Sequence, residues 1–236
     1  MKLKIKSFLE NKTAVLFFCL DLVLLIVIVG LCFILMNFTS STNEKKCEIE
    51  ALPNDNFVFL GDSITDYYPL EELYDNLPVI NSGVAGYTTS DILDNIDEMV
   101  TIYNPTKVII LIGTNDIEKE KSNEEIFENI EKIVSKILEK RPNTKIYLES
   151  IYPINNTDNE KIDHNSVGRR TNKTIIDLNK KIKGFCKENN YTYIDMYKEL
   201  VDKDGNLNIK YTAEGLHIND TGYLKITKVM YRYLQD

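Results

Sequence analysis

Short apolar runs alternate with longer segments of helical periodicity along most of this chain, and this alternation limits the fold more than any other feature. The runs predicted as strands are FVFL (57–60), PVIN (78–81), KVIILI (107–112), KIYLES (145–150) and YTYID (191–195). Helical periodicity covers about residues 90–103, 171–188 and 220–234, and a further helix begins after Ser122. Continuous apolar strands joined by crossover helices are typical of a parallel sheet covered on both faces, so we expect an α/β fold.

An apolar stretch of 23 residues, at 14–36, precedes this alternating region, and Asp21 is its single charged residue. About 20 apolar residues suffice to cross a bilayer. Four lysines before the stretch and two after it favour a cytoplasmic amino terminus. We therefore expect a cytoplasmic basic segment at 1–13, one transmembrane helix at 14–36, a polar tether at 37–54 and an extracytoplasmic domain at 55–236. A cleaved signal peptide is the alternative, although its apolar region usually runs only about 7–15 residues.

The charge distribution argues against a nucleic-acid partner, and the positions of His and Cys argue against a metal site. Of the 28 Lys and Arg and the 36 Asp and Glu residues, six and three lie in the first 46 residues, which leaves 22 basic and 33 acidic side chains in the rest. An acidic domain disfavours a nucleic-acid partner. The two histidines and four scattered cysteines form neither an HExxH nor a CxxC pattern. We expect chemistry that needs no metal and no cofactor.

Four residues that could take part in catalysis follow predicted strands. They lie at the carboxyl edge, where parallel sheets bind their ligands. Ser63 follows the first strand, Gly86 the second, Asn115 the third, and His217 follows a loop after the fifth. An acyl transfer needs a hydroxyl nucleophile, a base and N–H donors for an oxyanion, and this set contains each type. Alone, each residue has a structural interpretation as a helix cap, a turn glycine, a loop cap or a buried imidazole. Their joint occurrence at one edge predicts a site.

Four sequence blocks around these residues resemble those of the SGNH (GDSL-type) hydrolases: GDSIT at 61–65, N-x-x-x-x-G at 81–86, GTND at 113–116 and EGLH at 214–217. The resemblance extends over about residues 56–234. It implies a flavodoxin-like three-layer α/β/α sandwich with a five-stranded parallel sheet. It also implies that Ser63 is the nucleophile and His217 the base. The oxyanion hole would consist of the Ser63 and Gly86 backbone N–H groups and the Asn115 side-chain amide.

One position departs from the pattern of that family, because the residue three before the histidine is commonly Asp and is Glu214 here. A triad acid accepts from the imidazole N–H and stabilises the imidazolium, and Glu can do so if the backbone accommodates one more methylene. Asp202 and Asp204 are the alternative acids, although their Asp-Gly context is first of all typical of a turn.

Several other polar residues receive structural interpretations. Asp62 and Asp116 are expected to hold loops through hydrogen bonds, and His164 is expected on the surface. Cys47 and Cys186 are candidates for a disulfide in an oxidising compartment, but two cysteines do not establish a pair.

The function expected from these features is a membrane-anchored, extracytoplasmic serine esterase. It would act on short acyl esters, with a small acyl ester or an acylated carbohydrate or lipid of the cell envelope as substrate. An O-acyltransferase that uses the same acyl-enzyme is an alternative, and a non-catalytic carbohydrate- or lipid-binding module is another. The loop at 153–170 is the candidate lid or specificity wall. Its Arg169 and Arg170 are expected as a solvated surface pair, and contact with an anionic substrate is the alternative.

Overall fold

The computed structural model describes residues 55–235, and five parallel strands form the centre of this region. Their order in the sheet is β2-β1-β3-β4-β5, and every neighbouring pair is parallel. The five-stranded parallel sheet predicted from the apolar runs is therefore confirmed. The strands are β1 Phe57–Gly61, β2 Val79–Gly83, β3 Lys107–Leu111, β4 Lys145–Glu149 and β5 Thr192–Ile194.

Helices follow the strands and cover both faces of the sheet. Each of the three longest begins at a polar cap, because the Ser122, Thr171 and Asn219 side chains accept N–H bonds from the first turn. The helices are α1 Ser63–Asp66, α2 Leu70–Leu73, α3 Thr89–Asp94, α4 Ile96–Met99, α5 Thr114–Glu118, α6 Asn123–Lys140, α7 His164–Val167, α8 Asn172–Asn189, α9 Met196–Leu200 and α10 Asp220–Leu234, with a 3-10 turn at Thr101–Tyr103.

The core has two parts because successive strand residues point to opposite faces of the sheet. Val58 and Ile110 face a layer built from α3, α4, α6 and α8. Phe57 and Ile109 face the layer of α1, α2, α9 and α10. The strands are apolar on both sides for this reason, and the result is a three-layer arrangement.

The helix predicted over residues 90–103 is three short elements instead, α3, α4 and the 3-10 turn. Asn95 causes the first break, because its side-chain Nδ2 donates to the Asp91 carbonyl oxygen at 2.8 Å, the acceptor that its own backbone N–H would use in a continuous helix. The Asn95 N–H bonds the Ile92 carbonyl instead, at 3.1 Å. Apolar periodicity continues through the break, so the pattern did not reveal it.

Several predictions concern residues that the structure does not describe. The transmembrane helix at 14–36 and the tether at 37–54 lie outside the described residues. Within residues 55–235, no helix combines the length and the apolar character needed to span a bilayer. Cys47 is also outside this region, and Cys186 is a buried free thiol on α8.

Candidate active site

The turn from β1 into α1 presents Ser63 at the carboxyl edge of the sheet. Asp62 caps α1, and its side chain accepts the Ile64 N–H at 3.0 Å. Gly61 allows the turn to be this tight, because a Cβ there would lie 2.2 Å from Thr65 Oγ1 and 2.5 Å from the Leu111 carbonyl oxygen. Ser63 is 7% exposed.

His217 lies in a tight loop just before α10. The Thr212 hydroxyl accepts the Gly215 N–H at 2.7 Å and donates to the His217 carbonyl oxygen at 2.8 Å. Gly215 has φ +111°, a conformation that favours glycine. The loop therefore holds the imidazole by its own main chain.

Three side chains form a continuous hydrogen-bonded series at this edge. Ser63 Oγ lies 3.0 Å from His217 Nε2, and His217 Nδ1 lies 2.6 Å from Glu214 Oε1. A carboxylate only accepts hydrogen bonds, so Nδ1 carries the proton and Nε2 accepts from the serine hydroxyl. The geometry has the form of a nucleophile, a base and an orienting acid.

The residues predicted as oxyanion donors lie on the loops after β2 and β3. The Asn115 Nδ2 group donates to the Tyr87 carbonyl oxygen at 3.0 Å, which places this amide beside the residue that follows Gly86. Gly86 has φ +83°, and a Cβ there would meet nothing within 4 Å, so the backbone conformation and not space calls for glycine. Within residues 55–235, neither the Ser63 N–H nor the Gly86 N–H has a hydrogen-bond acceptor. Such N–H groups are available to an oxyanion.

Asn81, the first residue of the second block, connects the first two loops of the edge. Its Nδ2 group donates to the carbonyl oxygens of Thr65 at 2.9 Å and Tyr68 at 3.1 Å. Its Oδ1 accepts the Gly83 N–H at 2.9 Å. The amide thus holds the end of α1 against the end of β2.

The two acidic residues next to the reactive positions both make hydrogen bonds to the backbone. Asp116 is fully buried, and its carboxylate accepts from the Thr89 N–H at 2.9 Å and from the Thr89 hydroxyl at 2.7 Å. Burial raises the pKa of Asp62 to about 7, although the Ile64 N–H bond and the charge of Arg170 act in the opposite direction. Both residues support the loops that carry Ser63 and Asn115.

The alternative acids and the second histidine lie apart from this series. Asp202 accepts the backbone N–H groups of Asp204 and Asn206, both at 2.9 Å, so it organises a turn. Asp204 is exposed. His164 is exposed at the start of α7 and bonds Asn156.

The loop at 153–170 is hydrogen-bonded to the loop that carries His217. Its Asn155 N–H donates to the Gly215 carbonyl oxygen and its Asp163 N–H to the Glu214 carbonyl oxygen, each at 2.8 Å. The expectation of a solvated arginine pair is wrong for Arg170, which is 6% exposed and donates to Asn115 Oδ1 at 2.9 Å. Loop spacing does not distinguish a buried arginine from an exposed one, and the sequence held no other signal for this contact.

Comparison with known proteins identifies a family model and several relatives that resemble this chain. Residues 59–225 match the model of the GDSL-like Lipase/Acylhydrolase family. Curated relatives include an N-acylneuraminate cytidylyltransferase of Escherichia coli, 32% identical over 79% of this chain and 42% of the relative. Another is the platelet-activating factor acetylhydrolase IB subunit alpha2 of Rattus norvegicus, 26% identical over 75% of each chain. The chain thus spans less than half the length of the cytidylyltransferase that it matches.

Solved structures share the fold. A protein of Streptococcus pneumonia with the provisional name of a platelet activating factor is 31% identical, with a TM-score of 0.71 over 84% of this chain and 90% of that one. A GDSL-like lipase of Bacteroides thetaiotaomicron, 22% identical, has a TM-score of 0.66 over 77% and 88%. With the family model matched over most of residues 55–235, this chain belongs to the GDSL-like lipase/acylhydrolase family.

Proposed function

We propose that this protein is a serine ester hydrolase in which Ser63 is the nucleophile, His217 the general base and Glu214 the acid of the triad. The observation that carries the proposal is the series from Ser63 Oγ through His217 to Glu214, with separations of 3.0 and 2.6 Å. These are the distances at which a hydroxyl can pass its proton to an imidazole held by a carboxylate.

In the acylation step, Ser63 Oγ attacks the carbonyl carbon of the ester while its proton moves to His217 Nε2. The carbonyl oxygen becomes an oxyanion, which the Ser63 and Gly86 N–H groups and the Asn115 Nδ2–H stabilise. The C–O bond to the leaving group then breaks, and His217 donates its proton to the departing alkoxide. The products of this step are the free alcohol and an acyl-enzyme on Ser63.

In the deacylation step, His217 takes a proton from water, and the resulting hydroxide attacks the acyl carbonyl. Collapse of the second tetrahedral intermediate releases the carboxylic acid and returns the proton to Ser63 Oγ. A sugar hydroxyl in place of water would transfer the acyl group instead. Hydrolysis and O-acyl transfer therefore share one acyl-enzyme and differ only in the acceptor.

An ester of a short acyl group is the substrate that we propose. The name of the relative that is matched over 75% of its length, an acetylhydrolase, supports an acetyl ester. The Tyr67 ring lies 5.4 Å from the His217 ring, and Tyr67 is 54% exposed. An exposed aromatic face beside the general acid suits a leaving group with an apolar or sugar-ring surface.

We further propose that the domain lies outside the cell membrane, held by the apolar stretch at 14–36, with the acylated envelope as its substrate. Support for this comes from the length of the stretch and its lysine-rich flank. Protease added to intact cells should digest the domain while the amino terminus stays with the membrane. Protection of the domain, or a soluble chain without the first ~36 residues, would contradict the anchor.

The enzymatic proposal is tested with the purified full chain and aryl esters of increasing acyl length. We expect turnover to be fastest with acetyl and to fall as the acyl chain lengthens. Mass spectrometry of the quenched reaction should find the acyl group on Ser63, and Ser63→Ala should carry none. A chain that binds acylated sugars but never forms this adduct would instead be a binding module.

A further inference from the structure

Arg170 is a buried cation that takes no part in the proposed proton transfers. Its side chain is 5% exposed, although it lies in the connection between β4 and α8. Its Nη2 donates to Asn115 Oδ1 at 2.9 Å. A buried guanidinium requires acceptors for its N–H groups. Five more acceptors at 3.0–3.1 Å meet this need: the carbonyl oxygens of Thr114, Ser166 and Val167, the Thr114 hydroxyl and the Glu118 carboxylate.

The contact with Arg170 determines which way the Asn115 amide faces. An asparagine carries an acceptor and a donor of nearly equal size, so packing alone does not orient it. Arginine only donates, and the atom facing it must therefore be Oδ1. Nδ2 then points the opposite way, where one N–H donates to the Tyr87 carbonyl oxygen at 3.0 Å and the second has no acceptor within residues 55–235. A flipped amide would place two donors against each other.

We propose that Arg170 is a positioning residue, which holds the Asn115 amide so that one Nδ2–H faces the oxyanion. This inference rests on the proposed function, because it assigns Arg170 a role in an ester-hydrolysing site. The Glu118 carboxylate lies 3.1 Å from the guanidinium and offsets its charge. Orientation of the amide, rather than direct attraction of the oxyanion, is therefore the effect we expect.

The same loop also supports the acid of the triad. Its Asp163 N–H donates to the Glu214 carbonyl oxygen at 2.8 Å, and Arg170, the last residue of the loop, donates to Asn115. One segment thus contacts both the residue that orients His217 and the residue offered to the oxyanion. An effect of Arg170 on catalysis has to be separated from general support of this loop.

The first experiment compares Arg170→Met with Arg169→Met in the full chain. Arg169 is the matched control, because its side chain is 66% exposed and pairs at the surface with Glu120, which is also exposed. With an aryl acetate as substrate, we expect Arg170→Met to lower kcat about 10- to 100-fold with little change in KM, since a single oxyanion donor accounts for ~10²–10³. Arg169→Met should match wild type, and Arg170→Lys should be intermediate because the Lys ammonium keeps the charge but lacks the planar fork of donors of a guanidinium.

The decisive measurement repeats Arg170→Met in an Asn115→Ala background. If Arg170 acts through Asn115, its replacement causes no further loss of kcat there. Loss by the same factor in both backgrounds, or unchanged kcat in the single variant, would overturn the inference. Thermal melts establish that the variants are folded. If Arg170→Met does not melt cooperatively, Arg170→Lys replaces it in the comparison of the two backgrounds. No hydrolysis by wild type, or full hydrolysis by Ser63→Ala, would overturn the proposed function instead.

Discussion

A single oxygen of Glu214 accepts two hydrogen bonds from His217, one from the ring Nδ1 at 2.6 Å and one from the backbone N–H at 3.0 Å. The acid thus holds both the imidazole and the main chain that carries it. The extra methylene of Glu relative to Asp is accommodated within the loop.

Glu214→Gln should lower kcat by ~10²–10⁴ with little change in KM, because the amide keeps the shape of the side chain but removes the charge that stabilises the imidazolium. Glu214→Asp should retain more activity, since the carboxylate remains. Steady-state kinetics on an aryl acetate measures both.

Asp202→Asn is the matched control for that prediction, because Asp202 organises a turn through the backbone N–H groups of Asp204 and Asn206. It should keep the wild-type kcat. An impaired Asp202→Asn together with an active Glu214→Gln would show that Asp202, and not Glu214, is the acid of the triad. If both remained active, Ser63 and His217 would be working as a dyad.

Ser63→Ala and His217→Ala should each abolish turnover, and the double variant should be no slower than either single one. The reason is that the hydroxyl and the imidazole, 3.0 Å apart, act in one proton transfer. Residual rates of the three variants over the uncatalysed reaction measure this. Additive losses would mean that the two side chains contribute independently.

Asn115→Ala should reduce kcat by ~10²–10³, the cost of one oxyanion donor, while KM changes little. Asn165→Ala is the control, because Asn165 is exposed at the surface. An unchanged kcat in Asn115→Ala would show that Asn115 is not an oxyanion donor.

Glu149→Gln should stabilise the protein at pH 8 and change its stability little at pH 5. Glu149 is buried at the end of β4 and accepts from the Tyr152 hydroxyl at 2.7 Å. Burial raises the pKa of Glu149 to about 7, against the effect of the Tyr152 bond. The native state therefore binds more protons than the unfolded state between about pH 4.5 and 7, and stability falls as the pH rises through this window.

The expected gain at pH 8 is about 1–3 kcal/mol, because one pKa unit corresponds to about 1.4 kcal/mol. Melting temperatures of wild type and Glu149→Gln at both pH values test it. An equal difference at pH 5 and pH 8 would show that Glu149 does not titrate in this range.

Gly61→Ala should destabilise the domain by about 1–3 kcal/mol or more, because the new Cβ would lie 2.5 Å from the Leu111 carbonyl oxygen, which cannot rotate away. Gly184→Ala is the opposite case. It lies within α8 with nothing within 4 Å of the added Cβ, so it should stabilise by about 0.5–1 kcal/mol. Denaturant unfolding measures both, and a stable Gly61→Ala would contradict the close approach of β1 to β3 and α1.

Local patterns in the sequence were sufficient for the sheet and the long helices. Apolar runs such as 107–112 reflect burial on both faces of a strand, and Ser122 marks the start of α6, because burial and capping act over a few neighbouring residues. The break at Asn95 could not be predicted from these patterns, because a side chain that competes for one carbonyl oxygen does not alter the apolar periodicity.

The sequence by itself also determined which residue types meet at the carboxyl edge, because parallel strands bring their ends together. Only the tertiary structure decided which carboxylate reaches His217 and where Arg170 lies. Glu214 reaches the ring because the loop around Gly215 turns with φ +111° and is held by Thr212, whereas Asp202 is occupied by its own turn. Arg170 is buried against Asn115, a residue 55 positions away in the chain. Contacts of that range depend on how the loops pack against one another, and the spacing of residues along the chain contains no measure of it.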